Sequence, residues 1–221
     1  MEFDPAEIPQ ARRYGYLIGA IAPRPIAVVG TQDREGRANL APYSCFNGIS
    51  SEPFLALFCP ANRADGGEKD SLANAKPVDE GGTGCFSISV ATMEIVRAVV
   101  ACSEPLAPGE SEFALSGLTP RACRRIAAPF VAESPVHMEL ETVEVRRFAP
   151  GVPDGGNLVI GRIVHMRIDD GLLDREGRFD PAAFDAVGRM GGLAYCTTRG
   201  RFDLPRGRAA LAADEPPHAP S

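Results

Sequence analysis

Apolar and polar positions alternate along much of this chain, and the pattern is dominated by strands. Pro25–Thr31 (PIAVVGT) is a short apolar run rich in β-branched residues. Gln32–Gly36 (QDREG) has turn chemistry, and Arg37–Tyr43 runs back, so the three predict a β-hairpin. Phe54–Cys59 (FLALFC) is continuously apolar and predicts a strand buried on both sides. Cys85–Val90 predicts another strand. In Val136–Phe148, Val136, Met138 and Leu140 share one face, whereas Val143 and Val145 share the other. That switch near Thr142 predicts a β-bulge, which adds twist and helps a barrel close. Asn157–Ile168 alternates with Leu158, Ile160, Val164, Met166 and Ile168 on one side, and PGVPDGG forms the hairpin loop before it.

Helices are few. Lys69–Lys76 is a short candidate. Ala91–Cys102 is a better one, because Met93, Val96, Val99 and Val100 recur at helical spacing. Many short strands, one or two connecting helices and Gly/Pro punctuation predict a mainly β fold, a small barrel with helical excursions. One domain is expected over residues 1–205. Residues 206–221, rich in Ala, Pro and charge, are expected to be a poorly ordered tail.

Composition narrows the function. A net charge of −6 and an isoelectric point near 5.2 argue against a nucleic-acid partner, which needs a basic face. No apolar run reaches the roughly 20 residues that span a bilayer. The acidic start, MEFDPAEIPQ, lacks a signal pattern, so a cytoplasmic location without a membrane partner is expected. The six cysteines form no CxxC pair, and buried or half-buried thiols are the simplest reading. Motifs for phosphate loops, nucleotide-binding βαβ units, zinc proteases and serine hydrolases are missing. The three histidines, His137, His165 and His218, lie far apart in sequence, and no metal site is expected. His137 and His165 fall on strands that could pair, but ordinary surface or core histidines outnumber ligand pairs.

Three segments carry candidate chemistry. In Ala22–Ile26 (APRPI) two prolines pin the backbone around Arg24, which suits a fixed anion contact or, as simply, an Arg at a barrel corner. In Asn39–Asn47 (NLAPYSCFN), Pro42 removes a backbone donor and is expected to break the ladder. The residues after it can offer unpaired N–H groups and hydroxyls to a flat polar ring edge; an irregular edge strand with Tyr43 and Phe46 in the core is the alternative. In Pro60–Ser71 (PANRADGGEKDS) a strand exits into a loop with Arg63 and Lys69, and a helix starts with Asp70 or Ser71 as its cap. That is either an anion site or a solvated loop with capping chemistry. Lys69 and Lys76 are the only lysines in a chain that otherwise uses Arg.

Taken in order, these segments resemble the flavin reductase-like family of FMN-binding split barrels, over roughly Tyr16 to Leu204. The resemblance rests on APRPIAVVGTQDREGRANLAPYSCFNGISSEPFLALF, EKDSLANA, SEFALSGLTP, AESPVHMELE, LVIGRIVHMRID and VGRMGGLAYCTT. It implies a split β-barrel that dimerises, with FMN at the subunit boundary. Asn39, Ala41, Pro42, Tyr43, Ser44, Cys45 and Phe46 would lie against the isoalloxazine ring. Arg24, Lys69, Asp70 and Ser71 would lie near the phosphate, and Arg189 and Tyr195 near the cofactor or the dimer contact. No catalytic side chain is assigned. The activity implied is an NADH- or NADPH-dependent flavin reductase, with a flavin-dependent monooxygenase component as a candidate partner. A non-enzymatic FMN electron carrier and an FMN-dependent oxidoreductase acting on a small molecule are the alternatives.

Overall fold

The computed structural model describes residues 2–106 and 110–212. Its twelve strands are β1 (Arg24–Pro25), β2 (Ala27–Gln32), β3 (Ala38–Tyr43), β4 (Phe46–Ser51), β5 (Phe54–Phe58), β6 (Cys85–Val90), β7 (Pro120–Ala122), β8 (Pro129–Val131), β9 (Val136–Arg147), β10 (Asn157–Ile168), β11 (Val187–Arg189) and β12 (Tyr195–Thr197). Four α-helices join them: α1 (Gln10–Ala20), α2 (Asp70–Ala75), α3 (Val96–Ala101) and α4 (Glu112–Ser116).

Seven strands form one antiparallel sheet in the order β3-β2-β6-β9-β10-β5-β4. The two edge strands, β3 and β4, are consecutive in the chain and only Ser44 and Cys45 separate them. Two residues cannot span a flat seven-stranded sheet, whose strands lie about 4.8 Å apart. The sheet therefore curls until its edges meet, giving a barrel that is split where β3 and β4 fail to hydrogen-bond.

The barrel interior holds Ala27, Val29, Tyr43, Ala56, Phe58, Phe86, Ile88, Met138, Leu140 and Val159, with Leu72 and Ala75 of α2 packed into it. A second core lies outside β2 and β3, where Val28 and Leu40 pack against Ile95, Val99, Cys102 and Phe113. Strands β2 and β6 are thus buried on both faces, as their uninterrupted apolar runs require.

The predicted bulge is present: Glu144 pairs with Ile160 and Thr142 with Gly161, so Val143 is the extra residue. It shifts the inward register, and Val145 joins Met138 and Leu140 against the barrel core. Other expectations need correction. On β10 the core takes Val159 and Ile163, not Leu158 and Ile160; a second bulge at Val164 then brings Met166 and Ile168 opposite Met138 and Val136, on the face the alternation expected. Gly161 sits between Val159 and Ile163 because an added Cβ would lie 2.6 Å from Phe86 and 2.8 Å from Leu140. Strand β5 is not buried on both faces: Ala56 and Phe58 face the core, while Phe54 is exposed and Leu55 and Leu57 are half-buried. The helix expected over Ala91–Cys102 starts only at Val96, because Thr92 bridges to Ala186 and Val187 N–H donates to Ala91. Helix α1 is an addition to the expected elements: Tyr14, Leu17, Ile18 and Ile21 follow helical spacing, yet the helix buries no residue and this stripe is left largely exposed. In the expected tail, Gly207–Ala212 is an exposed 3₁₀ turn and the rest lies outside the described residues. No helix among the described residues is long and apolar enough to cross a membrane.

Candidate functional site

Strand β3 is an edge strand, and one side of its backbone faces away from the sheet. Leu40 identifies that side, because its N–H reaches Glu112 Oε2 at 3.2 Å rather than β2. Pro42, two residues on, turns the same way. Its missing N–H therefore costs no ladder bond, and β3 continues through Tyr43 instead of breaking at Pro42.

A cleft of about 470 Å³ opens beside this edge. Asn39, Ala41, Pro42 and Tyr43 form one wall, Lys69, Asp70 and Ser71 the second, and Cys102–Leu106 with Glu112 the third. The structure thus unites seven residues that the sequence singled out in two separate segments. A buried polar cluster joins them. Asn39 Nδ2 donates to Ser71 Oγ and Thr31 Oγ1, both at 3.0 Å. Burial pushes the Tyr43 hydroxyl up to about 12, against the opposing effect of its hydrogen bond with Ser71. Tyr43 is therefore a neutral donor or acceptor throughout the physiological range. Ser71 is 1% exposed and holds Asn39 and Tyr43 in place.

Charge at the cleft is unevenly committed. Lys69, not Asp70 or Ser71, is the N-cap residue of α2, so the capping expectation is corrected. Its ammonium is exposed and has no ion pair or hydrogen bond among the described residues. Arg63, by contrast, lies near two carboxylates, Asp65 at 3.5 Å and Asp70 at 3.7 Å. Lys76 is bound to Glu68 at 2.9 Å, and Arg147 bonds the same carboxylate at 2.6 Å and Glu80 at 2.7 Å, tying α2 to β9. Burial acts to raise the Glu68 carboxyl, but Lys76 and Arg147 outweigh it and hold it below its ordinary value.

The remaining predicted residues form a second group. Arg24 is 5% exposed and its guanidinium is already engaged. Nη1 donates to the carbonyls of Ile18 and Ile21 (2.8 Å to the latter), Nη2 to Met190 O at 3.1 Å, and Nε to Ser44 Oγ at 3.2 Å. Rather than presenting its charge to an anion, it clamps α1 and the segment after β11 to the two-residue crossing between β3 and β4. Cys45 is exposed in that crossing, and its carbonyl accepts from Cys59 N–H at 2.9 Å. Phe46 packs half-buried against the barrel core. Arg189 stacks over the Tyr195 ring at 4.3 Å and donates to Gly192 O at 2.6 Å. Neither residue lines the cleft of its own chain.

Several lining residues escaped the sequence reading. Asn62 is buried and donates to Ala149 O and Val152 O at 3.0 and 2.9 Å, fixing the loop that carries Arg63. Asp154 lies in the PGVPDGG loop with φ +57°. Glu112 and Cys102–Leu106 come from beyond β6. No local pattern marks them, because only the tertiary fold brings them to β3.

Comparison with known proteins agrees with this architecture. Residues 19–190 match the flavin reductase like domain. An uncharacterised protein of Halalkalibacterium halodurans is 33% identical over 213 residues, covering 93% of this chain and 96% of its own length. Among solved structures, nitrilotriacetate monooxygenase component B from Bacillus cereus superposes with a TM-score of 0.84 at 30% identity, over 92% of this chain and 98% of that one. The 2-nitrobenzoate 2-nitroreductase of Pseudomonas fluorescens gives 0.81 at 26%, over 94% and 97%. A Shewanella frigidimarina structure described as a flavin reductase with a split barrel domain gives 0.77 at 27%, over 94% and 100%. The chain is a split-barrel protein, and it belongs to the flavin reductase like domain family.

Proposed function

We propose that the cleft beside β3 binds FMN and that the protein is a flavin reductase using NADH or NADPH. The observation that carries this reading is the outer edge of β3, which no strand among the described residues covers, set in one cleft with an uncommitted lysine. Bound flavin would supply the hydride acceptor and pass electrons onward. The chain's part is to hold it: backbone groups and the Asn39–Tyr43–Ser71 cluster meet polar ring atoms, and Lys69 meets the phosphate. Charge-assisted bonds of that kind are the strong ones. No acid–base side chain is needed for hydride transfer, which suits a cleft whose tyrosine stays neutral. Arg24 acts as a positioning residue for the ring segment.

The active form in this reading is a cytoplasmic homodimer. Ile49, Phe54 and Met166 lie exposed around an apolar surface groove on β4, β5 and β10, and two-fold pairing is the commonest way to cover such a surface. Arg189 and Tyr195, outside their own cleft, suit a place at that contact. The likeness to a monooxygenase component supports a monooxygenase as consumer of the reduced flavin.

The test is purified protein with excess FMN and either NADH or NADPH, followed by flavin absorbance, with sedimentation to give the mass. Turnover of the excess FMN by a dimer is expected. One reduction per bound flavin, or none, would replace the reductase by an electron carrier.

A further inference from the structure

We propose that His137, Glu139 and His165 form a binding site for a divalent transition-metal ion of the zinc class. The site shares no residue with the cleft beside β3. His137 and Glu139 lie two apart on β9, on the face opposite Met138, and His165 pairs with Glu139 across the β9–β10 ladder. One nitrogen from each imidazole and one carboxylate oxygen lie within 4.8 Å of one another.

The hydrogen bonding of this cluster is incomplete in a way that points to a ligand. Glu139 is 1% exposed, and its two oxygens accept the N–H groups of Arg124 (2.9 Å) and Arg125 (2.6 Å) in the turn between β7 and β8. A carboxylate has about four lone-pair sites, so capacity remains toward the histidines. His165 Nδ1 lies 3.0 Å from Glu139 Oε1 yet is buried without a hydrogen bond. His137, 2% exposed, has Nε2 at 3.9 Å from the same oxygen and a buried Nδ1 without a partner. Two imidazoles gathered at one buried carboxylate oxygen, with ring nitrogens left without hydrogen bonds, are an arrangement that an intervening cation resolves.

The dimensions agree. Ligands about 2.0–2.1 Å from a tetrahedral zinc ion sit about 3.3 Å from each other, between the two distances measured here. Two imidazoles and one carboxylate are an established donor set for zinc and for iron(II), and leave a coordination position open. The Phe130 ring stacks on His137 with centroids 3.7 Å apart and holds that imidazole in place. His165, with its side chain 28% exposed, is the side from which an ion enters. Arg167, opposite His137 on β10, is ion-paired with Asp169 at 2.5 Å, and Arg124 and Arg125 are exposed residues that meet Glu139 through their backbone N–H groups. A bound ion would tie β9, β10 and the β7–β8 hairpin together.

Tag-free protein, stripped with chelator and desalted, is titrated with Co²⁺ as the probe. The expected result is one Co²⁺ per chain, with weak visible bands of nitrogen and oxygen ligation and no thiolate charge-transfer band. His165→Asn should weaken binding at least about a hundredfold. Zn²⁺ should raise the melting temperature of the wild type and leave that of His165→Asn unchanged. Should His165→Asn fold poorly, histidine-ring NMR of the wild type decides: the His137 and His165 signals respond to metal and His218 does not. Absence of cobalt binding at millimolar concentration, thiolate bands, equal affinity in a folded His165→Asn, or unresponsive His137 and His165 signals would each overturn the site.

Discussion

Replacing Lys69 with alanine isolates the phosphate contact from everything else in the cleft. The side chain is exposed and unpartnered among the described residues, so its removal breaks no internal bond and leaves the fold intact. Arg63 is a weaker partner for an anion, because the carboxylates of Asp65 and Asp70 lie within 4 Å of it and offset its charge. A hydrogen bond to a charged group contributes about 1.5–3 kcal/mol, and solvent exposure places this one in the lower half of that range. A loss of about 1.5–2 kcal/mol corresponds to roughly ten- to thirtyfold weaker binding. The assay is paired fluorescence titration of FMN and riboflavin against wild type and Lys69→Ala. FMN affinity should fall by that factor, and riboflavin affinity should barely change. Equal losses for both ligands would move Lys69 away from the phosphate, and no loss for either would make it an ordinary solvated lysine.

Arg24→Ala removes the donors that Ile18, Ile21 and Met190 carbonyls rely on. Leaving such groups unsatisfied costs about 1–3 kcal/mol each, and part of that is recovered by water. A net loss of about 2–4 kcal/mol would lower the melting temperature by roughly 5–15 °C. Because α1 buries nothing of its own, trypsin should cut after Arg12 or Arg13 much faster in the mutant; unchanged cleavage and melting would refute the clamp. The Glu68 carboxyl, depressed below its ordinary 4.5, contributes stability that is fully present above that value and is lost as pH falls through the folded value. The difference in urea midpoint between wild type and Glu68→Gln should therefore be large at pH 7 and shrink toward pH 3; a constant difference would show that Lys76 and Arg147 give Glu68 no charge-dependent support.

The parts of the fold that could be read from the sequence are those where a local period survives tertiary packing. The hairpin of β2 and β3 is one, since Asp33 Oδ1 caps its turn by accepting from Glu35 and Arg37 N–H groups at 2.9 Å. The bulge at Val143 is another, because a register change leaves a mark in the alternation. The first half of the β10 face was misread for the opposite reason. Val159, Gly161 and Ile163 alternate as cleanly as Leu158 and Ile160, and only the contact of Gly161 with Phe86 and Leu140 decides between them. At the site, the residues on β3 and at the start of α2 were legible because proline, lysine and small polar residues interrupt an apolar pattern. The third wall was not, because Glu112 reaches β3 through a hydrogen bond spanning 72 positions. Arg24 was legible as a pinned residue, but its role depends on carbonyls that no sequence pattern displays.

The place of β9 and β10 in the sheet has a consequence for how the chain folds. The hairpins β2–β3 and β4–β5 are local and can form early, on the microsecond scale of such elements. They remain apart until β9–β10 inserts between β6 and β5, pairing Val159 with Phe58 about 100 residues earlier. During synthesis the open edge of β6 therefore waits for β9, and that of β5 for β10, whose last residue is Ile168. The last long hairpin is the keystone of the barrel, and a nascent chain stalled before it offers two open strand edges to any neighbour.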